Sequence, residues 1–462
     1  MSDPGRISEH GAVSDLGNIS EQAGTRDRGG MDIPPVPESL TLFISAGEAS
    51  GEQYGTLLIE ALKRQLAATG RTARFFGMGG ERMAHAGCEC VVRSEEVAVM
   101  GFTEIVHHLP RIYREFNRLK KALRERKPDV AVLIDFPGFH LRMARELHRL
   151  GIPVVYFVSP QLWAWKKHRI HQVRRSVDRM LVIFPFEEAF YRKHGIDAEF
   201  VGHPLADLPQ PTISRQQFAA DNGLDPARTW IGLLPGSRIK EIRTNLPEML
   251  SAASHLHGPY NATHEAAVSS LAQLPPTTPS FLLPLASTLT SAQRTETRQI
   301  VQRRAPSLDV HLIDDVRAGL FHSRASIVAS GTATIEAALI GNPLVVVYRV
   351  SALTYAIAKQ IVKVPHIAMV NLIANKRLVP ELIQAEFTAD GIVKHLEPLL
   401  REGDERTSMM RELAEIRGLL RTHLTPLSSA NKNQESSSTD PPQEAIERVA
   451  AITLSRINRL GN

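Results

Sequence analysis

Between Leu40 and Tyr348, short and nearly all-apolar runs alternate with longer stretches whose apolar residues recur every three or four positions. The runs Leu40–Ser45, Arg74–Gly77, Val130–Asp135, Val154–Val158, Arg179–Ile183 and Glu199–Val201 read as strands. Glu52–Leu66, Glu81–Ala86, Ile112–Arg126, Leu141–Leu150, Lys167–Val177 and Phe186–His194 read as the intervening helices; in Ile112–Arg126 the apolar stripe is Ile112, Phe116, Leu119 and Leu123. A second series follows the Pro-rich Leu208–Pro211. Its strands are Trp230–Leu234, Ser280–Pro284, Asp309–Leu312, Ser326–Ala329 and Pro343–Tyr348, separated by helices Glu241–Ser254, Thr290–Arg304, Val316–His322 and Ala333–Leu339. Strands this short and this uniformly apolar belong to parallel sheets covered by helices on both faces. The expected architecture is therefore α/β: two Rossmann-like parallel-sheet domains facing a cleft, at 39–208 and 209–390, with C-terminal helices over 391–462.

Three stretches break this rhythm. Met1–Glu38 is polar and rich in Gly and Pro without a hydrophobic period, and reads as a disordered tail. His255–Pro279 and Leu424–Pro442 read as flexible surface insertions. The 462 residues, 43% hydrophobic and 22% charged, are enough for sizeable cores and exclude wholesale disorder. No window approaches the ~18 uninterrupted apolar residues of a membrane span, and the N-terminal stretch has no apolar segment of a secretory signal, so the expected location is cytoplasmic. Cys88 and Cys90 lie one residue apart, which disfavours a disulfide, and no further pair completes a zinc site. A net charge of +5 suits an anionic ligand, an anionic membrane surface or nucleic acid alike, and does not choose among them.

The candidate chemistry lies where strands hand over to helices. Ala46-Gly47-Glu48-Ala49-Ser50-Gly51-Glu52 follows the first strand; it lacks the Gly-Lys-Ser/Thr of a phosphate loop, and Glu48 and Glu52 argue against a phosphate there. It fits an acceptor-site loop at a carboxyl strand edge. Pro235-Gly236-Ser237-Arg238, with Glu241 in the following helix, combines backbone N–H groups with a fixed cation, which suits a diphosphate. Ser330-Gly331-Thr332-Ala333-Thr334 is a second such cradle, and Glu336 is placed to bond ribose hydroxyls. Ser159–Arg169 brings Trp163 and Trp165 together with Lys166, Lys167, His168 and Arg169, a pattern for acyl-chain contact or an interfacial anchor. Asp135 closes a central strand, a good place for a catalytic base; Asp129 opens it, at the opposite edge. His203 and the pair His107-His108 have no partner at metal spacing.

In order along the chain, AGEASGE (46–52), GMGGERM (77–83), VMGFTEI (99–105), VSPQLWAW (158–165), FPFEEAFY (184–191), FVGHPLAD (200–207), LLPGSR (233–238), SGTATIEAAL (330–339) and NLIANKRLVPELIQ (371–384) resemble the lipid-A-disaccharide synthase family, glycosyltransferases of the two-domain GT-B fold. The resemblance implies a UDP-2,3-diacylglucosamine donor, a 2,3-diacylglucosamine 1-phosphate acceptor, and release of UDP with the β(1→6) disaccharide 1-phosphate of lipid A. It also implies peripheral attachment at the cytoplasmic face of an inner membrane, with no nucleic acid as partner; a homodimer is compatible with it. No Asp-x-Asp pair is visible, and neither metal nor cofactor is expected. The nucleotide side would be Gly236, Ser237, Arg238, Glu241, Ser330, Gly331, Thr332, Ala333, Thr334, Glu336, Tyr348, Asn371, Glu381 and Gln384; the acceptor and lipid side would be Ser50, Met100, Phe102, Trp163 and Trp165. The family often reads Asp-x-Pro-Asp-Phe-Asn where this chain has Asp135-Phe136-Pro137-Gly138-Phe139-His140, so the general base falls to Asp135, Glu48 or Glu104. The same two cradles also fit a UDP-GlcNAc 2-epimerase-like isomerase or a non-catalytic UDP-sugar binder.

Overall fold

Seven strands form the first sheet: β1 (Ser39–Ala46), β2 (Thr72–Gly79), β3 (Cys88–Arg93), β4 (Val130–Ile134), β5 (Val154–Phe157), β6 (Arg179–Val182) and β7 (Ala198–Phe200). Six form the second: β8 (Trp230–Leu234), β9 (Ser280–Pro284), β10 (Val310–Ile313), β11 (Ala325–Ala329), β12 (Leu344–Tyr348) and β13 (Glu381–Ile383). The computed structural model describes residues 39–97, 105–165, 167–257, 278–351, 355–356, 359, 364–421 and 444–458. The strand orders are β3-β2-β1-β4-β5-β6-β7 and β10-β9-β8-β11-β12-β13, every pair being parallel. Each order reverses once, between β1 and β4 and between β8 and β11, and a doubly wound sheet offers its ligand crevice at such a reversal.

The period-two alternation of the strands sorts residues to the two faces. Phe43, Ala131, Leu133, Tyr156 and Met180 face one core, where Leu119 and Leu123 of helix Ile105–Arg126 and Met143 and Leu147 of helix Pro137–Arg149 cover them. Leu42, Ile44, Val132, Ile134 and Phe157 face the other, under Leu58 and Leu62 of helix Ala49–Ala67. β4, β8, β9 and β11 are buried at every position, which is why they read as nearly all-apolar runs.

Helices Ala389–Leu400 and Asp404–Leu419 pack on the second sheet's domain, and helix Ala445–Asn458 returns to the first. There Glu447 pairs with Arg64 at 2.5 Å and accepts from Gln65, and Arg448 reaches Glu199 at 2.6 Å. At the crossover, His203 N–H donates to the Leu420 carbonyl and Arg421 to that of Ala206.

Several elements differ from the sequence expectation. β3 and β13 were absent from it because Cys-Glu-Cys-Val-Val-Arg and Glu-Leu-Ile are edge strands with no continuous apolar run. The helix expected from Ile112 begins at Ile105 and runs through Pro110. Short helices Pro204–Asp207 and Arg215–Asn222 also lie outside the expected set. The tail and the stretch 424–442 lie outside the described residues, as does most of 255–279; His255–His257 instead complete helix Ile239–His257. Among the described residues no helix is long and apolar enough to cross a membrane.

Gly77 sits where β2 and β3 change register, and a Cβ there would lie 1.9 Å from the Ile44 carbonyl oxygen. That neighbour is backbone within a sheet and has no room to yield. Gly77→Ala is therefore expected to destabilise by at least about 3 kcal/mol in denaturant unfolding. Gly138→Ala, where a Cβ meets open space on a helix, is expected to be neutral or stabilising by up to about 1 kcal/mol.

Candidate active site

The reversal in the first sheet places two turns side by side. After β1, Gly47 and Glu48 lead into helix Ala49–Ala67, whose N-cap is Glu48; Ser50 lies in its first turn. A Cβ on Gly47 would lie 2.3 Å from the Phe136 ring, so only glycine lets that ring rest on the turn. Glu52, further along, accepts from the Arg82 N–H at 2.9 Å and so roofs the next βα turn. After β4, Asp135 and Phe136 both adopt left-handed backbone, each with φ 50°, an uncommon conformation for residues other than glycine. The Asp135 carbonyl accepts two hydrogen bonds, from His140 Nδ1 at 2.7 Å and from the Tyr156 hydroxyl at 2.7 Å.

His140 is fully buried, and desolvation pushes its pKa down to about 4, so the ring is neutral. A carbonyl can only accept, so the proton sits on Nδ1. Nε2 then accepts from the Ser45 hydroxyl at 2.8 Å. Ser, His and Asp meet here, yet this is not a nucleophile triad: the imidazole bonds the main-chain carbonyl of Asp135, and Ser45 has no exposure.

The Asp135 carboxyl is pushed up to about 7, first by burial and then by the charge of Glu48, against a backbone hydrogen bond from Phe136. A carboxyl that exchanges its proton near neutrality is suited to general base chemistry. Asp129, at the opposite end of β4, only pins Thr41 N–H, at 2.7 Å.

In the second sheet the reversal brings together the turns after β8 and β11. Gly236 has φ 126°, and the N–H groups of Ser237 and Arg238 both donate to Glu241, at 3.0 and 3.3 Å. This corrects the expectation of an open cradle: Glu241 is itself the anion seated there. Its charge, after burial, also holds the Tyr348 hydroxyl above its usual range. The Arg238 guanidinium lies 3.6 Å from Glu241 and, across the cleft, 3.6 Å from Glu48. These groups are half exposed, so each pair contributes less than about 1 kcal/mol and parts easily.

After β11, Ser330 and Gly331 precede helix Thr332–Ile340, whose N-terminus has no side-chain cap, while Ala333 lies in its first turn and the Thr334 hydroxyl bonds the Gly331 carbonyl at 2.7 Å. Glu336 on this helix is held above the usual carboxylate range by burial, partly offset by Arg317. Tyr54 of the first domain feels the charges of both Glu336 and Asp135, so the two sides of the cleft share one electrostatic environment.

The side chains of the late motif are engaged by neighbouring backbone. Asn371 accepts from Leu378 and Val379 N–H and donates to Val379 O and Glu381, which fills both lone pairs and both N–H groups. Glu381 also accepts from the N–H groups of Ile367 and Ala368. Gln384 bonds both backbone groups of Val350. These three side chains tie β13 to the neighbouring loops.

On the acceptor side, Trp163 is half-buried, packs edge-on against Phe186, and donates Nε1–H to Glu187 at 3.0 Å; Trp165 is exposed. Glu187, not singled out from sequence, is buried and accepts from the Ser159 hydroxyl at 2.6 Å as well; burial pushes its pKa up to about 7. Its signal was its place one turn into the helix that follows β6. Met100, Phe102, Glu104 and Lys166 lie outside the described residues.

Two doubly wound domains, with polar turns at the reversal of each sheet, make up the two-domain GT-B architecture. The fold is shared with the calicheamicin glycosyltransferase CalG4 (TM-score 0.52, 15% identity, 92% of this chain and 100% of that one) and the glycotransferase of kitacinnamycin (TM-score 0.53, 14% identity, 91% and 100%). Residues 42–430 match the lipid-A-disaccharide synthetase family, and the chain belongs to that family. The lipid-A-disaccharide synthase of Acidobacterium capsulatum is 55% identical over 426 residues, covering 90% of this chain and 98% of its own. That of Koribacter versatilis is 47% identical over 393 residues, covering 85% and 96%. The chain is thus a hexosyltransferase of lipid A biosynthesis, and the isomerase and non-catalytic alternatives fall.

A base must be ionised to accept a proton, so kcat/KM, which follows the free enzyme, is expected to rise with pH through a midpoint at about 7. Glu48→Gln removes the like charge and is expected to move that midpoint down by about half a unit to one unit in a pH–rate series. An unmoved limb would separate Asp135 from the rate.

Proposed function

We propose that the chain condenses UDP-2,3-diacylglucosamine with 2,3-diacylglucosamine 1-phosphate by inversion, with Asp135 as general base. The acceptor 6-hydroxyl gives its proton to Asp135 as its oxygen attacks the donor anomeric carbon. The bond from that carbon to the diphosphate oxygen breaks, and UDP leaves. The observation that carries this reading is Asp135 itself: a buried carboxyl at the first sheet's reversal, close enough to feel the charge of Glu48, which in turn meets Arg238 of the second domain.

Arg238 serves the leaving group. It is held at the mouth of the cleft by two weak carboxylate contacts, which a diphosphate of greater charge exchanges readily. The turn Ser330–Gly331 and the uncapped start of helix Thr332–Ile340 supply further N–H donors, and Glu336 on the same helix serves the ribose hydroxyls.

The acylated substrates have to be met at a surface. Helix Ile105–Arg126 exposes Leu109 and Tyr113, at 48% and 68%, one turn apart and beside Arg111 and Arg114. Trp165 adds an exposed indole. Exposed apolar side chains beside arginines fit the interface of an anionic bilayer and support the reading of an enzyme attached peripherally at the cytoplasmic face of a membrane.

UDP release is expected to require both acylated sugars. Asp135→Asn and Arg238→Ala are each expected to lower kcat about 100-fold or more with the fold intact. Equal UDP release without the acceptor would sink the proposal. Tyr113→Glu is expected to reduce flotation with anionic liposomes at low salt; flotation equal to the parent would remove this helix from the membrane reading.

A further inference from the structure

We propose that His140 and Tyr156 are positioning residues for the reaction: by clamping the main-chain carbonyl of Asp135 they aim its carboxylate into the cleft. The inference rests on Asp135 being the base.

Two consecutive left-handed residues at the end of a strand do not hold themselves. With ordinary backbone the chain would leave β4 in another direction, and the Asp135 side chain would point elsewhere. Three neighbours prevent this, and each comes from a different element. Tyr156 belongs to β5, on one side of β4, and donates its hydroxyl to the Asp135 carbonyl at 2.7 Å. His140 lies in the first turn of helix Pro137–Arg149 and donates Nδ1–H to the same oxygen at 2.7 Å. The imidazole is in turn fixed at Nε2 by the Ser45 hydroxyl of β1, on the other side of β4. The turn is therefore tied to both strands that flank it. Phe136 is trapped as well, its ring filling the place where Gly47 has no Cβ.

A purely structural role would not need this arrangement. Ser45, His140 and Tyr156 are fully buried on an otherwise apolar face among Phe43, Leu133 and Phe139. Hydrocarbon side chains would fill that space without polar groups to satisfy. What the polar set adds is a fixed direction for one carbonyl, and through it for the side chain on the same α-carbon. A displacement of about 1 Å at a reacting group can cost about 100-fold in rate.

The test uses the full-length protein, with kcat and KM for both substrates and a thermal melt for each variant. His140→Ala is expected to lower kcat by about 10- to 100-fold while each KM stays within about threefold. His140→Asn, whose Nδ2–H can stand where Nδ1–H stood, is expected to return kcat to within about fivefold of the parent. Tyr156→Phe, which keeps the ring and removes one donor, is expected to lower kcat by about five- to tenfold; should His140→Ala fail to fold, this variant carries the test. Folded His140→Ala and Tyr156→Phe proteins with kcat within twofold of the parent would overturn the clamp, as would a folded His140→Asn no better than His140→Ala. Asp135→Asn separates the two readings. If it is fully active, the base assignment fails; if it is inactive while the clamp variants are fully active, the clamp alone fails.

Discussion

A parallel strand cannot be followed directly by its neighbour; the chain has to cross back over a face of the sheet first. Every strand in both sheets obeys this constraint. All carboxyl strand ends of a sheet therefore lie along one edge, and the turns that leave that edge are the places where side chains are free to face a ligand. Where the winding reverses, two adjacent turns diverge to opposite faces and leave a crevice. Glu48 and Asp135 stand at one such point, and Arg238 with Gly331 at the other. The chemistry is thus located by topology before any residue is chosen.

The same constraint explains what was legible in the sequence. Strands buried on both faces are largely apolar, so β1, β4, β5, β8, β9, β11 and β12 announced themselves as runs. Edge strands carry no such demand. β3 alternates Cys88, Glu89 and Cys90 with uneven burial, and β13 spans three residues, so neither had a pattern to read.

Site residues followed a similar rule. Turns at carboxyl strand ends could be singled out, because Gly-Glu, Asp-Phe-Pro and Pro-Gly-Ser-Arg are unlike the strands before them. Their partners could not. That Glu241 closes on the N–H groups of Ser237 and Arg238, or that Asn371 is saturated by its own loop, depends on backbone direction, which composition does not encode. His140 appeared only as a departure from the family's usual Asn, and its bond to a carbonyl five residues back had no sequence signal.

The charges in the cleft then bind the two domains into one chemical unit. Glu48 is shared: it raises the proton affinity of Asp135 on its own side and meets Arg238 from the other. While Arg238 is close, part of the field of Glu48 at Asp135 is offset. On the proposed mechanism, a diphosphate that draws Arg238 away leaves Glu48 uncompensated, and Asp135 then holds a proton more tightly. A base of higher proton affinity accepts the acceptor's proton with a greater driving force, provided the medium is alkaline enough to have ionised it. Because Arg238 and Glu48 are both half exposed, solvent screens the exchange and keeps it small, so it tunes the base and does not switch it. On the proposed mechanism, donor arrival on the second domain and proton removal on the first are thereby coupled through one arginine.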